Sequence, residues 1–436
     1  MHVCRECGTT APRWAGRCAG CGQWNTIDEA RATPGAPFAT RTLAAQGLGD
    51  DTPAPTGVGE LDRVLGGGLV AGSTTLLFGE PGAGKSTLAL MVLRERALRG
   101  DGVALVAAEE SPGQVARRAR RLGAVPEGLD VLATADLSAA EALVREGRRT
   151  LVVVDSVSAL SDGALAGGAG SVPQVRHAAE RLCAAAKSTD TTLLLVGHVT
   201  KDGELAGPRA LEHLVDTVVR IEGERQGTLR LLRSVKNRFG ATGEVGLLEM
   251  SGDGLRELAD PASLRGPALG VPGVVAGVTN DGSRSLLVEI QALVAAPAGA
   301  PRRVAHQVSA QRLSLLLAVL AARCGIATQD QDVFAASAGG LPATEPGVDL
   351  ALALAVASAA GGFVVPGSLV ALGEVGLAGE LRAVAGATRR VREARRLGAS
   401  VVVAPREGDV DDVDGVRLVR CASLGEALDA ARSAPN

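Results

Sequence analysis

No tyrosine occurs among the 436 residues, and phenylalanine and tryptophan together supply only 2% of the chain. Hydrophobic residues nevertheless make up 46%, so the cores must be built from leucine, valine and alanine rather than from aromatic rings. A chain of this length with this apolar content is expected to form two or three domains.

Long apolar runs and a strong net charge are also missing. No run reaches the roughly 20 residues that a membrane span requires, and the N-terminus lacks a charged stretch followed by an apolar one, so no secretory signal is expected. The formal net charge is −3, so any surface for nucleic acid must be local rather than a property of the whole chain. We therefore expect a cytoplasmic protein with no membrane partner.

A phosphate-binding pattern, G-x-x-x-x-G-K-[ST], lies between an apolar β-prone run and a run that can open a helix, which is the context of a working P-loop. Its members are Gly79, Glu80, Pro81, Gly82, Ala83, Gly84, Lys85, Ser86 and Thr87. Backbone N–H groups of the loop would converge on phosphate oxygens at the positive end of a helix dipole. Lys85 would reach the β- and γ-phosphates of ATP, and Ser86 would hold Mg²⁺. The alternative is a glycine-rich turn before an ordinary helix.

Apolar strands alternate with amphipathic helices around this loop. The strands are predicted at 73–78, 103–107, 129–132, 150–155 and 191–197. Such alternation favours a mostly parallel, doubly wound sheet, whose ligand lies at the carboxyl ends of the strands. Residues 111–122 are predicted as a helix with an arginine-rich face.

Three polar residues follow the predicted strand ends. Asp155 ends an apolar strand in the Walker B arrangement and would bind the Mg²⁺ shell. Glu109 would orient or deprotonate the attacking water; Glu110 is a less favoured substitute, and an acid at the start of a helix is the structural alternative. His198 is either a structural histidine or a polar sensor of the γ-phosphate.

Four of the seven cysteines form two closely spaced pairs, Cys4 with Cys7 and Cys18 with Cys21. Four thiolates in this arrangement predict a closed, tetrahedral, structural Zn²⁺ site, with Gly8 and Gly22 supplying positive φ after each pair. Two disulfides or a redox CxxC are the alternatives. Without metal, so short a segment should be unfolded.

Three further features remain open at this stage. Trp14 and Trp24 can pack on the ribbon or stack on a base, and packing is favoured. Residues 161–171 are too rich in glycine for a helix or strand and predict a mobile loop. Lys236 and Arg238 lie two residues apart, so both can project from one edge; a solvated charged turn is the alternative.

The order of these motifs resembles the bacterial RadA family, also called Sms. The matching motifs are CxxC…CxxC, GEPGAGKST, AEES, LVVVD, the run from Gly197 to His213, and KNRFG at 236–240. The similarity extends over nearly the whole chain, and KNRFG is its most diagnostic part. It implies an ATP-dependent DNA motor of recombination and repair, related to ring helicases of the DnaB type, that promotes branch migration.

The resemblance further implies a homo-hexameric ring with nucleotide between subunits. Lys236 and Arg238 would then reach the γ-phosphate held by a neighbour, in the manner of an arginine finger. The loop 161–171, together with Lys201 and Arg209, would face a central channel and single-stranded DNA. A functional link to the RecA recombinase is implied as well.

The C-terminal part resembles the proteolytic domain of Lon protease, which cuts with a Ser–Lys dyad. Asp349 stands where that family has its serine and Thr388 where it has its lysine, so neither nucleophile nor base survives. We expect a retained fold, lost proteolysis and a scaffolding role in the ring. The predicted elements are helices at 313–322 and 349–360 and a buried strand at 401–404.

An arginine-rich stretch follows Thr388 and predicts a solvated helix face, with a DNA contact as the alternative. Its members are Arg389, Arg390, Arg392, Arg395 and Arg396.

The predicted fold is α/β. It comprises a zinc ribbon at 1–24, a linker at 25–55, a RecA-like P-loop ATPase core with a mostly parallel sheet at 56–255, and a proteolytically inactive Lon-protease-like α+β domain at 260–436. The favoured function is a DNA-dependent ATPase acting on single-stranded and branched DNA. A RecA-fold regulatory ATPase of the KaiC type and a fused ATP-dependent protease are the competing hypotheses.

Overall fold

The computed structural model describes residues 2–6, 9–11, 13–29, 52–198, 211–223, 227–258, 270–408 and 410–434. Residue contacts divide the chain into two units, Met1–Asp51 and Thr52–Asn436. Among the described helices, none combines the length and the apolar character needed to cross a membrane.

The first unit contains a small antiparallel sheet. Its strands are β1 (His2–Cys4), β2 (Thr10–Ala11) and β3 (Ile27–Glu29), in the order β2-β1-β3. Gly22, directly after the second cysteine pair, has a φ of 72°, as the sequence predicts; Gly8 lies outside the described residues.

The second unit begins with a nine-stranded sheet in the order β12-β11-β10-β9-β4-β8-β7-β5-β6. The strands are β4 (Thr74–Gly79), β5 (Val103–Ala107), β6 (Leu129–Ala133), β7 (Leu151–Asp155), β8 (Thr192–His198), β9 (Thr217–Glu222), β10 (Leu229–Asn237), β11 (Val245–Ser251) and β12 (Gly254–Glu257). β4 to β9 run parallel, and β10, β11 and β12 extend the sheet as an antiparallel meander. The five strands predicted from the sequence lie within one residue of β4 to β8.

Helices cover both faces of this sheet. They are α1 (Gly59–Leu65), α2 (Lys85–Leu98), α3 (Pro112–Arg121), α4 (Leu137–Arg145) and α5 (Val172–Thr189). One core packs α1, α2 and α3 on the first face, and a second packs α4 and α5 on the other. β4, β5, β7 and β8 can be nearly all apolar because both of their faces are buried, whereas the edge strand β6 is partly exposed. The doubly wound prediction is therefore confirmed.

A second, seven-stranded sheet follows, in the order β15-β16-β14-β13-β17-β20-β21. Its strands are β13 (Val274–Asp281), β14 (Arg284–Ala295), β15 (Arg303–His306), β16 (Asp332–Ser337), β17 (Leu369–Ala371), β20 (Val401–Pro405) and β21 (Arg417–Cys421), while β18 (Glu374–Val375) and β19 (Leu381–Arg382) form a separate pair. The helices are α6 (Ala310–Cys324), α7 (Asp349–Gly361), α8 (Ala387–Arg396) and α9 (Leu424–Ser433). Parallel and antiparallel pairs are mixed, which is the predicted α+β arrangement.

The two large sheets share a hydrophobic core. Leu231 of β10 and Leu247 of β11 are buried in the same cluster as Ile290 of β14 and Leu316 of α6. The turn between β13 and β14 fits closely against the meander, because a Cβ on Gly282 would lie 1.6 Å from the carbonyl oxygen of Gly243. The domain boundary predicted between 255 and 260 falls at the edge of a stretch that lies outside the described residues, so it stays a prediction.

Candidate nucleotide site and metal centre

Polar side chains from neighbouring strands meet at the carboxyl edge of the nine-stranded sheet. Gly79 at the end of β4 pairs with His198 at the end of β8. Asp155 ends β7 and pairs with Ala107 of β5, the strand that leads into Glu109. The residues predicted around the P-loop are therefore brought together by the parallel register.

Lys85 is held inside the P-loop. Helix α2 starts at this residue, directly behind Gly84, and Lys85 Nζ donates to the carbonyl oxygens of Gly79 and Glu80, both at 2.9 Å. Burial lowers the pKa of the ammonium group, and two nearby carboxylates oppose that shift. Phosphate oxygens entering the loop would take over the two hydrogen bonds, because they carry the charge that the carbonyls lack.

Glu109 lies between a serine and a histidine. Its Oε1 accepts a short hydrogen bond from Ser156 Oγ and lies 3.5 Å from His198 Nε2. Ser156 is fully buried, and its hydroxyl lies 2.7 Å from that of Ser158. The Glu109 side chain is 49% exposed, so a carboxylate that is oriented by two partners stays open to water, as a general base requires.

Asp155 and Ser86 form the opposite side of the site. Burial raises the pKa of Asp155, and a hydrogen bond from Ser86 and the charge of Arg118 oppose that rise in part. These three side chains, with Glu109 and His198, line a cavity of about 160 Å³. A hydroxyl and a carboxylate in this relation hold Mg²⁺ in P-loop ATPases, and a divalent cation would remove the penalty on the charged form of Asp155.

Two members of this site are missed by sequence reasoning. Ser156 carries no motif of its own, although it directly follows the Walker B acid. Arg118 is predicted only as part of an arginine-rich face, yet it pairs with Glu110 at the cavity wall. Glu110 is thus engaged by Arg118, whereas Glu109 is the carboxylate that Ser156 and His198 contact.

The basic turn that contains Lys236 and Arg238 lies at the opposite end of the strands from the P-loop. Lys236 is paired with Val218, near the start of β9, whereas the P-loop follows the end of β4. Three to four residues of strand separate the two edges, about 10–13 Å at roughly 3.3 Å per residue. The structure thus does not bring Lys236 or Arg238 to the P-loop of their own chain.

Both basic residues have partners within the chain, although the Arg238 side chain is also 55% exposed. Lys236 Nζ donates to the carbonyl oxygens of Glu212 and Val215, at 2.6 and 2.8 Å, and burial, with the neighbouring Arg238 charge, lowers the pKa of Lys236. Arg238 lies 3.0 Å from a carboxylate oxygen of Asp216. The two side chains therefore hold the segment that follows residues 199–210. Lys201 and Arg209 lie outside the described residues.

The loop 161–171 is organised by one buried glutamine. Gln174 is 1% exposed; its amide nitrogen donates to the carbonyl oxygens of Asp162, Leu165 and Gly167, and its amide oxygen accepts from Asp162 N. The segment consists of turns without a helix, as predicted, but its first half is fastened at four points.

Three cysteines of the ribbon converge. The Sγ atoms of Cys4, Cys18 and Cys21 all lie within 4.8 Å of one another, and those of Cys4 and Cys21 are 3.7 Å apart. Tetrahedral thiolates at the usual Zn–S length of about 2.3 Å lie about 3.8 Å apart, whereas a disulfide would require about 2 Å. The donor set fits zinc; Cys7, the fourth predicted ligand, lies outside the described residues.

Both tryptophans are exposed, which corrects the expectation that they pack on the ribbon. Trp14 is 61% exposed and Trp24 is 68% exposed. A ribbon of this size buries little beyond its cysteines, so it offers no core that could cover two indoles.

The two positions where the sequence predicts a lost protease dyad, Asp349 and Thr388, carry structural interactions. Asp349 is 1% exposed and forms a two-point ion pair with Arg312. Thr388 Oγ1 accepts a hydrogen bond from Asp411 N at 3.0 Å. A carboxylate held by a guanidinium and a threonine that fastens a loop provide neither a nucleophile nor its base.

The arginine stretch is not uniformly solvated. Arg390 is 1% exposed, contrary to the predicted solvated face. It pairs with Glu345 and donates to the carbonyl oxygens of Val278 and Ala385. Helix α8 is therefore fastened to the sheet by an internal arginine.

Comparison with known proteins gives consistent matches over the whole chain. A family profile described as an AAA domain matches residues 54–204, and one described as a rubredoxin metal binding domain matches residues 2–29. The "DNA repair protein RadA" of Mycolicibacterium smegmatis is 43% identical, covering 99% of this chain and 97% of its own. The proteins of the same name from Pseudomonas aeruginosa (43% identical, 99% and 98% covered) and Bacillus subtilis (39% identical, 98% and 97% covered) match equally broadly.

The matched profiles agree with the donor groups described above. The AAA domain implies ATP and Mg²⁺ as cofactors, and the cysteine ribbon binds Zn²⁺. The three cofactors predicted from the sequence are thereby confirmed.

Proposed function

Because the chain belongs to the RadA family of DNA repair proteins, we propose that it is a DNA-dependent ATPase that works as a ring-shaped motor on recombination intermediates. Membership of the family and the AAA domain make it an ATP-hydrolysing DNA repair protein. The proposal adds three points: stimulation by single-stranded and branched DNA, a homo-hexameric ring, and branch migration.

One observation supports the proposed homo-hexameric ring. The P-loop and Glu109 lie at one edge of the nine-stranded sheet, and Lys236 and Arg238 lie at the other. Lys236 and Arg238 therefore do not reach the γ-phosphate held by their own chain, although Arg118 lines the same cavity. In the proposed ring, the surface of one subunit that carries Lys236 and Arg238 faces the P-loop of the next subunit. A heterologous interface of this kind forms a closed ring when its rotation closes.

Each residue then has a role that its position supports. Lys85 and Ser86 bind the phosphates and the cation, with Asp155 in the cation shell. Glu109, oriented by Ser156, holds the attacking water and accepts its proton. His198 contacts Glu109 and is placed to sense the nucleotide.

The same basic turn connects hydrolysis to DNA. Lys236 holds the carbonyl oxygens of Glu212 and Val215, at the end of the segment that we propose to contact single-stranded DNA. If Lys236 turns toward the nucleotide of a neighbour, those hydrogen bonds are released and the segment moves. The loop 161–171 would line the same channel. The link to RecA and the cytoplasmic location remain predictions.

The first test is ATP hydrolysis with and without single-stranded DNA. We expect DNA to increase turnover and Lys85→Ala to abolish it, because the phosphates lose their cation. If single-stranded DNA changes neither the ATP turnover nor the nucleotide affinity, the motor is contradicted. A regulatory ATPase that acts on proteins is then favoured.

The second test asks whether the basic residues act across subunits. Lys85→Ala and Arg238→Ala chains, each inactive alone, are mixed and allowed to assemble. In an equal mixture about a quarter of the interfaces combine an intact P-loop with an intact basic turn from the neighbour, so about a quarter of the wild-type turnover should return. A mixture as inactive as its components would show that Arg238 does not act in trans.

A further inference from the structure

The zinc ribbon presents an aromatic surface that the ATPase cycle does not use. We propose that Trp14, Trp24 and Arg17 form a stacking site for the bases of single-stranded nucleic acid. The site is distinct from the channel proposed above. It shares the DNA partner of the proposed function but rests on its own residues.

The two indoles are neighbours across a glycine. A Cβ on Gly16 would lie 3.8 Å from Trp14 Cη2 and 3.8 Å from Cε3 and Cζ3 of Trp24. Both rings therefore border the same point of the backbone, where the absent side chain leaves space. Exposed aromatic rings side by side present the π-faces on which bases stack, irrespective of sequence.

A cation accompanies the rings. The guanidinium carbon of Arg17 lies 5.8 Å from the centroid of the Trp24 ring, and Arg17 Nε donates to the carbonyl oxygen of Gly22 at 2.9 Å. The arginine is thus held over one face of the Trp24 ring, in cation–π range.

The charges around the two tryptophans favour nucleic acid as the ligand of this site. Residues 13–25 include Arg13 and Arg17 but no aspartate or glutamate, and Arg13 is exposed. The acidic residues of the ribbon lie outside this stretch: Glu6, Asp28 and Glu29. Exposed rings interleaved with arginines that form no ion pair among the described residues suit a chain that carries both bases and phosphates. An acidic peptide would pair with the arginines but leave the indoles in water.

Because both tryptophans of the chain lie in the ribbon, intrinsic fluorescence allows a direct test. The chain has two tryptophans and no tyrosine, so the intrinsic fluorescence of the intact, zinc-loaded protein reports on the ribbon alone. Emission is excited at the red edge of indole absorption and titrated with oligo(dT). A parallel titration uses an abasic oligomer of the same length, which keeps the phosphates and lacks the bases.

We expect oligo(dT) to quench the emission and the abasic oligomer to leave it nearly unchanged. Trp24→Ala should raise the oligo(dT) concentration for half-maximal quenching of Trp14 by roughly 5-fold or more, since stacking contributes about 1–3 kcal/mol per base. Trp24→Phe, which keeps a π-face, should restore most of the affinity. Zinc content is measured on each variant, so that loss of the ribbon fold is recognised.

Equal quenching by the abasic oligomer, no quenching by oligo(dT), or quenching by poly-glutamate alone would each overturn the stacking site. DNA-stimulated ATP hydrolysis is measured on the same samples. If stimulation persists while quenching fails, the stacking site is wrong and the proposed motor stands; if stimulation fails while quenching persists, the motor is wrong and the ribbon still binds nucleic acid.

Discussion

Removing the carboxylate of Asp349 should destabilise the C-terminal sheet. The ion pair with Arg312 is nearly enclosed, because the side chain of Asp349 is 2% exposed and that of Arg312 is 25% exposed. Replacing Asp349 by leucine would leave a largely buried guanidinium with only Glu374, 3.7 Å away, and the carbonyl oxygen of Val375 as partners. Breaking a buried pair in this way costs about 3–5 kcal/mol, and the quarter of the arginine that water reaches reduces this to roughly 2–4 kcal/mol.

A double-mutant cycle separates the pair from its surroundings. The variants are Asp349→Leu, Arg312→Leu and the combination, compared by calorimetry. For a unit of this size, ~1 kcal/mol shifts the unfolding midpoint by roughly 2–4 °C, so Asp349→Leu should lower it by about 5–15 °C. The double variant should recover much of the loss, since apolar pairs replace buried ion pairs at little cost, which gives a coupling of about 2 kcal/mol.

A matched surface change provides the control. Asp412 pairs with Arg420 but is 91% exposed, and Asp412→Leu should leave the midpoint within about 1 °C. If Asp349→Leu shifts the midpoint no more than Asp412→Leu does, the buried pair does not stabilise the fold, and the reasoning about the replaced protease position fails. No variant in the cycle should cleave casein; cleavage would show that a nucleophile survives.

Three shorter predictions concern other sites. Ser156→Ala should lower kcat about tenfold with little change in KM, because Glu109 loses a hydrogen bond that contributes about 1–1.5 kcal/mol; equal effects on kcat and nucleotide affinity would contradict a positioning role. Gly282→Ala should destabilise the chain by more than about 2 kcal/mol in urea unfolding, since φ is 56° and the new Cβ would meet a backbone oxygen, whereas Gly113→Ala, with open space in a helix, should be neutral or stabilising. Burial raises the pKa of Cys183 to about 11, so this thiol should resist DTNB at pH 8 until the chain unfolds, while chelation of zinc should release the ribbon thiols at once; early reaction of Cys183 would contradict its burial.

The sequence predicts the parallel part of the fold well because one physical rule governs it. Strands buried on both faces must be apolar, so short runs of valine, leucine and alanine mark them in the sequence. Asp155 and His198 were therefore placed correctly at one edge from strand ends alone. The zinc ligands are similarly local, because the spacing within each cysteine pair fixes the geometry.

Features that depend on distant partners were not predictable in the same way. Arg390 resembles its exposed neighbours along α8, and only the position of Glu345 and the carbonyl of Val278 shows that it is internal. Lys236 has an ordinary basic-turn sequence, yet it holds two carbonyl oxygens more than twenty residues away. Such contacts are set by tertiary packing rather than by local pattern.

The core shared by the two large sheets makes the C-terminal part a structural partner of the ATPase sheet. Leu231 and Leu247 belong to strands of the ATPase sheet, yet their side chains are covered by the C-terminal part. Deletion of that part would uncover an apolar face on the motor and invite aggregation. The C-terminal part is thus expected to keep the ATPase sheet from aggregating, a requirement that is independent of any chemistry of its own.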